Sequence, residues 1–250
     1  WLGHQTRDAF WRQGSVCENY DDIVCPVYVV GGWADAYTNA IPRLLEGLSC
    51  PRKGLIGPWA HAYPQFGIPG PKIGFLQECL RWWDQWLKEI DTGIMEEPML
   101  RVWIQDSVPP SPFYAERPGR WAAEATWPSP HIKAQVYWLN ENTLDDTPAA
   151  ETTVEYRGSQ FAGSEAGIWC PYGDPADLPP DQRGEDGLAL TFNSAPLTEA
   201  LDIVGCPEIT LTVSADRPNA LLVVRLCDIA PTGASLLVSR GFLNLTHRDS

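Results

Sequence analysis

CPVYVVGGWADAYTNAIPRLLEGLSCPRKGLIGPWAH, residues 25–61, is the stretch that decides the architecture. Its first six residues, 25–30, are a continuous apolar run rich in β-branched side chains, which suits a strand buried on both faces of a parallel sheet. GGWADAY follows. TNAIPRLLEGL then sets Ile41, Leu44, Leu45 and Leu48 at helical spacing, with Thr38 or Asn39 as the cap and Pro42 tolerated in the first turn. RKGLIG at 52–57 is short and apolar again. Strand, loop, helix and strand in that order make a βαβ unit.

Open α/β sheets bind ligands beyond the carboxyl ends of their strands. Asp35 follows the first strand and His61 the second, so the unit carries a carboxylate and an imidazole to one edge. A carboxylate bonded to an imidazole fixes its tautomer and steadies the imidazolium when the ring takes a proton. A purely structural Asp–His bond fits the same residues. In α/β-hydrolases the order along the chain is Ser, acid, His, with the serine in a GxSxG elbow. No GxSxG occurs here. Ser15 has no apolar strand leading into it, Ser49 lies at a helix end, and Cys17 and Cys25 fit a nucleophile no better. Asp35 and His61 also supply two metal donors, but His4, His131 and His247 have no ligand-like spacing, and neither HExxH nor a cysteine cluster is present. No metal is expected. Gly31-Gly32 lacks a further GxG pattern or a Walker lysine, so no nucleotide cofactor is expected either.

Further along, GFLQECLRWWDQWLKEI at 74–90 reads as the strongest helix. Phe75, Leu76, Cys79, Leu80, Trp83, Trp86, Leu87 and Ile90 form an apolar stripe expected to pack on the sheet. MLRVWIQD at 99–106 reads as a strand, and residues 107–130, dense in Pro, Ser and Trp, as a covering loop. Strands separated by turns are then expected at 133–139, 152–156, 188–192, 202–205, 208–215, 220–229 and 236–246, the pattern of a β-sandwich or jelly roll. The expected fold is therefore α/β plus all-β. Residues 1–106 read as the C-terminal part of an α/β sheet, 107–132 as a Pro/Trp-rich connection, and 133–250 as an incomplete jelly roll.

The 250 residues carry a formal net charge of -14, which argues against nucleic acid or an anionic membrane surface as partner. No run approaches the roughly 18 apolar residues of a membrane span. The seven cysteines are odd in number and form no CxxC, so they read as thiols packed as small hydrophobes. They tip the compartment toward the cytoplasm without fixing it.

PVYVVGGWADAYTNAIPRLLEGL followed by KGLIGPWAH resembles the cocaine esterase / X-Pro dipeptidyl-peptidase family of α/β-hydrolases. In that family the acid lies in a GW-x-D segment and the histidine closes a GPW-x-H segment; these fall on Asp35 and His61. The likeness continues through FLQECLRWWDQWLK and resumes from PLTEALDIVG in a segment similar to the family's jelly roll. It implies serine acyl transfer on a small-molecule ester or amide, or on a peptide with proline second, with His61 as base and Asp35 orienting it. The family's serine and oxyanion tyrosine match no residue here, Tyr37 and Tyr63 included. The chain is accordingly expected to be a fragment, inactive alone. Trp33 and Trp59 have two readings, substrate pocket or packing. A competing expectation is a carbohydrate- or surface-binding β-sandwich in which the Asp–His pair only steadies a loop.

Overall fold

The computed structural model describes residues 1–247; residues 248–250, the last of the 133–250 unit, lie outside the described residues. After a short helix α1 (Ala9–Arg12), β1 (Val27–Gly32), α2 (Ala40–Gly47) and β2 (Arg52–Gly57) form the βαβ unit. Helix α3 (Phe75–Leu87), β3 (Leu100–Gln105) and β4 (Gly119–Glu124) follow. One sheet holds these strands in the order β1-β2-β3-β4, parallel from β1 to β3 and closed by antiparallel β4. Strand β4 lies within the segment expected to be a covering loop. GRWAAE pairs there because Trp121 stands directly opposite Trp103, their rings 5.2 Å apart edge to face.

The strand at 25–30 was expected to be buried on both faces; among the described residues β1 has one strand neighbour, and it is half-buried until Gly32. β2 is the buried strand, flanked on both sides. The core lies under α2, where Ile41 and Leu45 pack with Ile56, Leu100, Val102 and Ile104. Val29 joins that cluster. Its neighbour Tyr28 points to the other face by strand alternation and meets Trp82 of α3 at 5.3 Å between centroids. Two helices therefore cover opposite faces of the sheet.

The expected packing stripe of α3 is not its buried side. Leu76, Leu80, Trp83 and Leu87 are all more than half exposed, and Trp82 alone in the helix is buried. The sheet explains this reversal. On that face it presents Tyr28, Lys53 and Arg101, so the helix turns its polar residues inward. Arg101 donates to Glu78 at 2.7 Å and to the Tyr28 hydroxyl at 2.7 Å, and Arg81 pairs with Glu97. Lys53, fully buried, donates to the carbonyls of Ile94 at 2.6 Å and Glu97 at 3.0 Å.

Past β4 the described residues form β5 (Trp138–Leu139) with β6 (Leu144–Asp145), a short helix α4 (Arg183–Asp186), and a hairpin of β7 (Leu221–Ile229) with β8 (Ser235–Asn244). The strands expected at 220–229 and 236–246 thus appear as β7 and β8, and the one at 133–139 shrinks to its last two residues. Residues 152–156, 188–192, 202–205 and 208–215 belong to no strand. Alternation specifies which face a strand would bury, but a strand forms only against a partner edge. In 208–215 the alternating Ile209, Leu211 and Val213 are exposed.

Candidate active site

Gly32 pairs with Gly57, so β1 and β2 end at the same level. The chain leaving β1 then crosses over the chain leaving β2. The N–H groups of Trp33 and Ala34 donate to the carbonyls of Gly57 and Trp59 at 2.9 and 3.1 Å. This approach demands glycine at position 32, because a Cβ there would stand 1.9 Å from the Trp59 carbonyl oxygen. The crossing brings the two predicted residues together: Asp35 Oδ2 lies 3.0 Å from His61 Nδ1. Asp35 Oδ1 accepts the Tyr37 N–H at 2.8 Å, which aims the carboxylate. The carboxylate side chain is 14% exposed and the imidazole 42%. A shielded acid thus holds one ring nitrogen while the ring stays open to solvent, the arrangement a general base requires.

Trp33 and Trp59 each precede one member of this pair by two residues. Trp59 is fully buried, donates to the Pro71 carbonyl at 2.8 Å and lies 6.2 Å from Trp121. Half-buried Trp33 donates to the Trp103 carbonyl at 2.6 Å. None of the Trp59 surface is open in this chain. Ser15 and Ser49 are bonded elsewhere, to the Trp11 carbonyl at 2.8 Å and the Asp21 carboxylate at 3.2 Å. Tyr63 is exposed and stacks on Phe75. Tyr37 stands 5.8 Å from the His61 ring.

The remaining wall comes from far along the chain. The His61 N–H donates to the Pro171 carbonyl at 2.7 Å, and Tyr172 meets the imidazole edge to face at 5.4 Å. Trp169 packs edge-on against Tyr37. Asp177 holds this loop by accepting the N–H groups of Tyr172, Gly173 and Asp174 at 2.8, 3.1 and 3.0 Å. Gly173, with φ at +93°, lets the loop close against Ile68. Cys170 is carried into the same space: its Sγ, a carboxylate oxygen of Asp35 and a ring nitrogen of His61 lie within 4.8 Å of one another.

Comparison with known proteins gives this site a context. Residues 92–250 match the model of the X-Pro dipeptidyl-peptidase C-terminal non-catalytic domain, and residues 1–63 match that of the X-Pro dipeptidyl-peptidase S15 family. The chain belongs to the X-Pro dipeptidyl-peptidase family. Asp35 and His61 both fall in the S15 match, whereas the Cys170 loop falls in the C-terminal match. Among relatives of this family member, a Mycobacterium bovis protein named as a serine esterase is 30% identical over 234 residues, 89% of this chain and 36% of its own length. A Bacillus anthracis protein named as a Xaa-Pro dipeptidyl-peptidase is 24% identical over 247 residues, 94% of this chain and 36% of its own. The chain thus spans about a third of the length of the curated relatives it matches. A crystal structure of a CocE/NonD family hydrolase from Staphylococcus aureus superposes with a TM-score of 0.45 at 16% identity, over 58% of this chain and 25% of that one.

The family motifs led to Asp35 and His61 and to nothing in the 169–177 loop. Its WCPYGD has the Pro, Gly and aromatic texture of any turn, and only the fold carries it to the sheet edge.

Proposed function

We propose that this chain supplies the acid and base of a serine hydrolase acting by acyl transfer on esters or amides. The observation that carries the reading is the 3.0 Å Asp35–His61 contact beyond the ends of two adjacent parallel strands. His61 takes the proton of an incoming serine hydroxyl as its oxygen attacks the acyl carbon. The ring then returns the proton to the leaving alkoxide or amine, and repeats both transfers with water to release the acid. Asp35 holds the ring and stabilises its positive charge in between. The nucleophile comes from a separate segment, since these 250 residues hold no GxSxG elbow. Alone, the chain is inactive. The loop-steadying alternative expects His61 buried against apolar neighbours, and its 42% exposure favours the hydrolase.

In this reading residues 1–106 belong to the hydrolase unit, 107–132 connect, and 133–250 derive from a jelly roll. The relatives named as esterase and as dipeptidyl-peptidase bracket the substrate: a small ester or amide, or a peptide with proline second. A panel of p-nitrophenyl esters and X-Pro p-nitroanilides, given to the polypeptide of the whole reading frame and to the 250-residue chain, tests this. Turnover is expected from the former and none from the latter. Ester turnover by the 250-residue chain itself contradicts the placement of the nucleophile.

A further inference from the structure

Spacing along the chain supplies two metal donors at the candidate site, and the fold adds a third. We propose that Asp35, His61 and Cys170 form a binding site for Zn2+ that competes with use of the histidine as a base. A carboxylate, an imidazole and a thiolate match the donor preferences of this borderline-soft ion, whereas the sulfur disfavours Mg2+ and Ca2+. Bonds of 2.0–2.3 Å in a tetrahedron place donor atoms roughly 3.3–3.8 Å apart. The three atoms already lie within 4.8 Å of one another, so closing onto a metal shortens any one separation by at most about 1.5 Å.

The backbone beneath the donors is held. Asp35 is fixed by the bond from the Tyr37 N–H, and the Cys170 segment is tied to the His61 backbone through Pro171. Asp177 braces the same segment from behind. The His61 ring is partly open to solvent, which leaves a fourth position for water, as in zinc sites with three protein ligands. On binding, the Cys170 thiol gives its proton to solvent and its sulfur bonds the metal. The site stands whether or not the chain belongs to a hydrolase. Its consequence for turnover rests on the function proposed above, because the metal and the nucleophilic serine would then compete for one imidazole.

The test reads binding rather than activity. The 250-residue chain is treated with iodoacetamide with and without Zn2+, and alkylation of each cysteine is followed by peptide mass. Zn2+ is expected to slow alkylation of Cys170 by more than about tenfold while leaving exposed Cys17 and Cys25 unchanged. His61→Ala, a change at a partly exposed side chain, is expected to abolish that protection. With Co2+ as probe, a sulfur-to-cobalt charge-transfer band is expected in the parent chain and lost in Cys170→Ser. Absence of protection in the parent chain overturns the proposal. So does protection that survives His61→Ala, which would mean a thiol binding metal alone.

Discussion

A Cβ on Gly32 would meet the Trp59 carbonyl oxygen at 1.9 Å, and that oxygen accepts the bond that seats the loop bearing Asp35. Gly32→Ala therefore forces the two strand-end loops apart. It should cost about 1–3 kcal/mol or more in denaturant unfolding, because the obstacle is backbone and cannot rotate away. Lys53 makes a second prediction at this scale. Burial pushes its ammonium down to about 8, against the attraction of Glu97, from an ordinary value of 10.5. Between pH 8 and 10.5 the unfolded chain then holds more of the Lys53 proton than the folded chain does, so this residue's contribution to stability rises with pH across that window. Below pH 8 both states are charged and the contribution is flat. Relative to Lys53→Met, the wild-type chain should gain on the order of 1–3 kcal/mol as pH climbs through the window, read from paired urea melts. A constant difference between the two proteins would refute the burial argument.

At the scale of elements, α3 separates two adjacent tryptophans. Trp82 is 3% exposed against the Tyr28 ring, while Trp83 is 52% exposed. Trp82→Ala should cost about 3–5 kcal/mol and Trp83→Ala within about 0.5 kcal/mol, compared by thermal unfolding. Equal costs would mean that the helix packs by its apolar stripe after all. That stripe also marks where the sequence misleads. Helical periodicity located α3 to within a few residues, but the buried side was decided by Arg101, Lys53 and Tyr28 on strands elsewhere in the chain. The βαβ unit was legible because both strands, the helix and the turn glycines lie within 25–61, where local pattern and tertiary pairing agree. In 133–250 the pattern located the β7–β8 hairpin, whose partners are neighbours in sequence. It overstated the strands whose partners would have to come from a distance.

Across the whole molecule, the candidate site joins two distant stretches, 32–61 and 169–177. The first was readable from its motifs, Asp35 and His61 included. The second was not, because nothing in a Pro- and Gly-rich loop says which surface it will meet. The His61 backbone N–H to the Pro171 carbonyl ties them together, and Asp177 braces the second stretch from within. Asp177→Ala removes the acceptor of three N–H bonds and should cost about 1–3 kcal/mol, with faster hydrogen exchange at 172–174 and little change in β1 and β2. Unchanged exchange there would show that the loop is held by its other contacts. The central claim is that Asp35 and His61 act as the acid and base of acyl transfer, and steady-state hydrolysis of p-nitrophenyl acetate by the polypeptide of the whole reading frame tests it most directly. His61→Ala and Asp35→Asn should each lower kcat by roughly 10³- to 10⁵-fold with KM little altered. A His61→Ala enzyme whose kcat stays within about tenfold of wild type would contradict it.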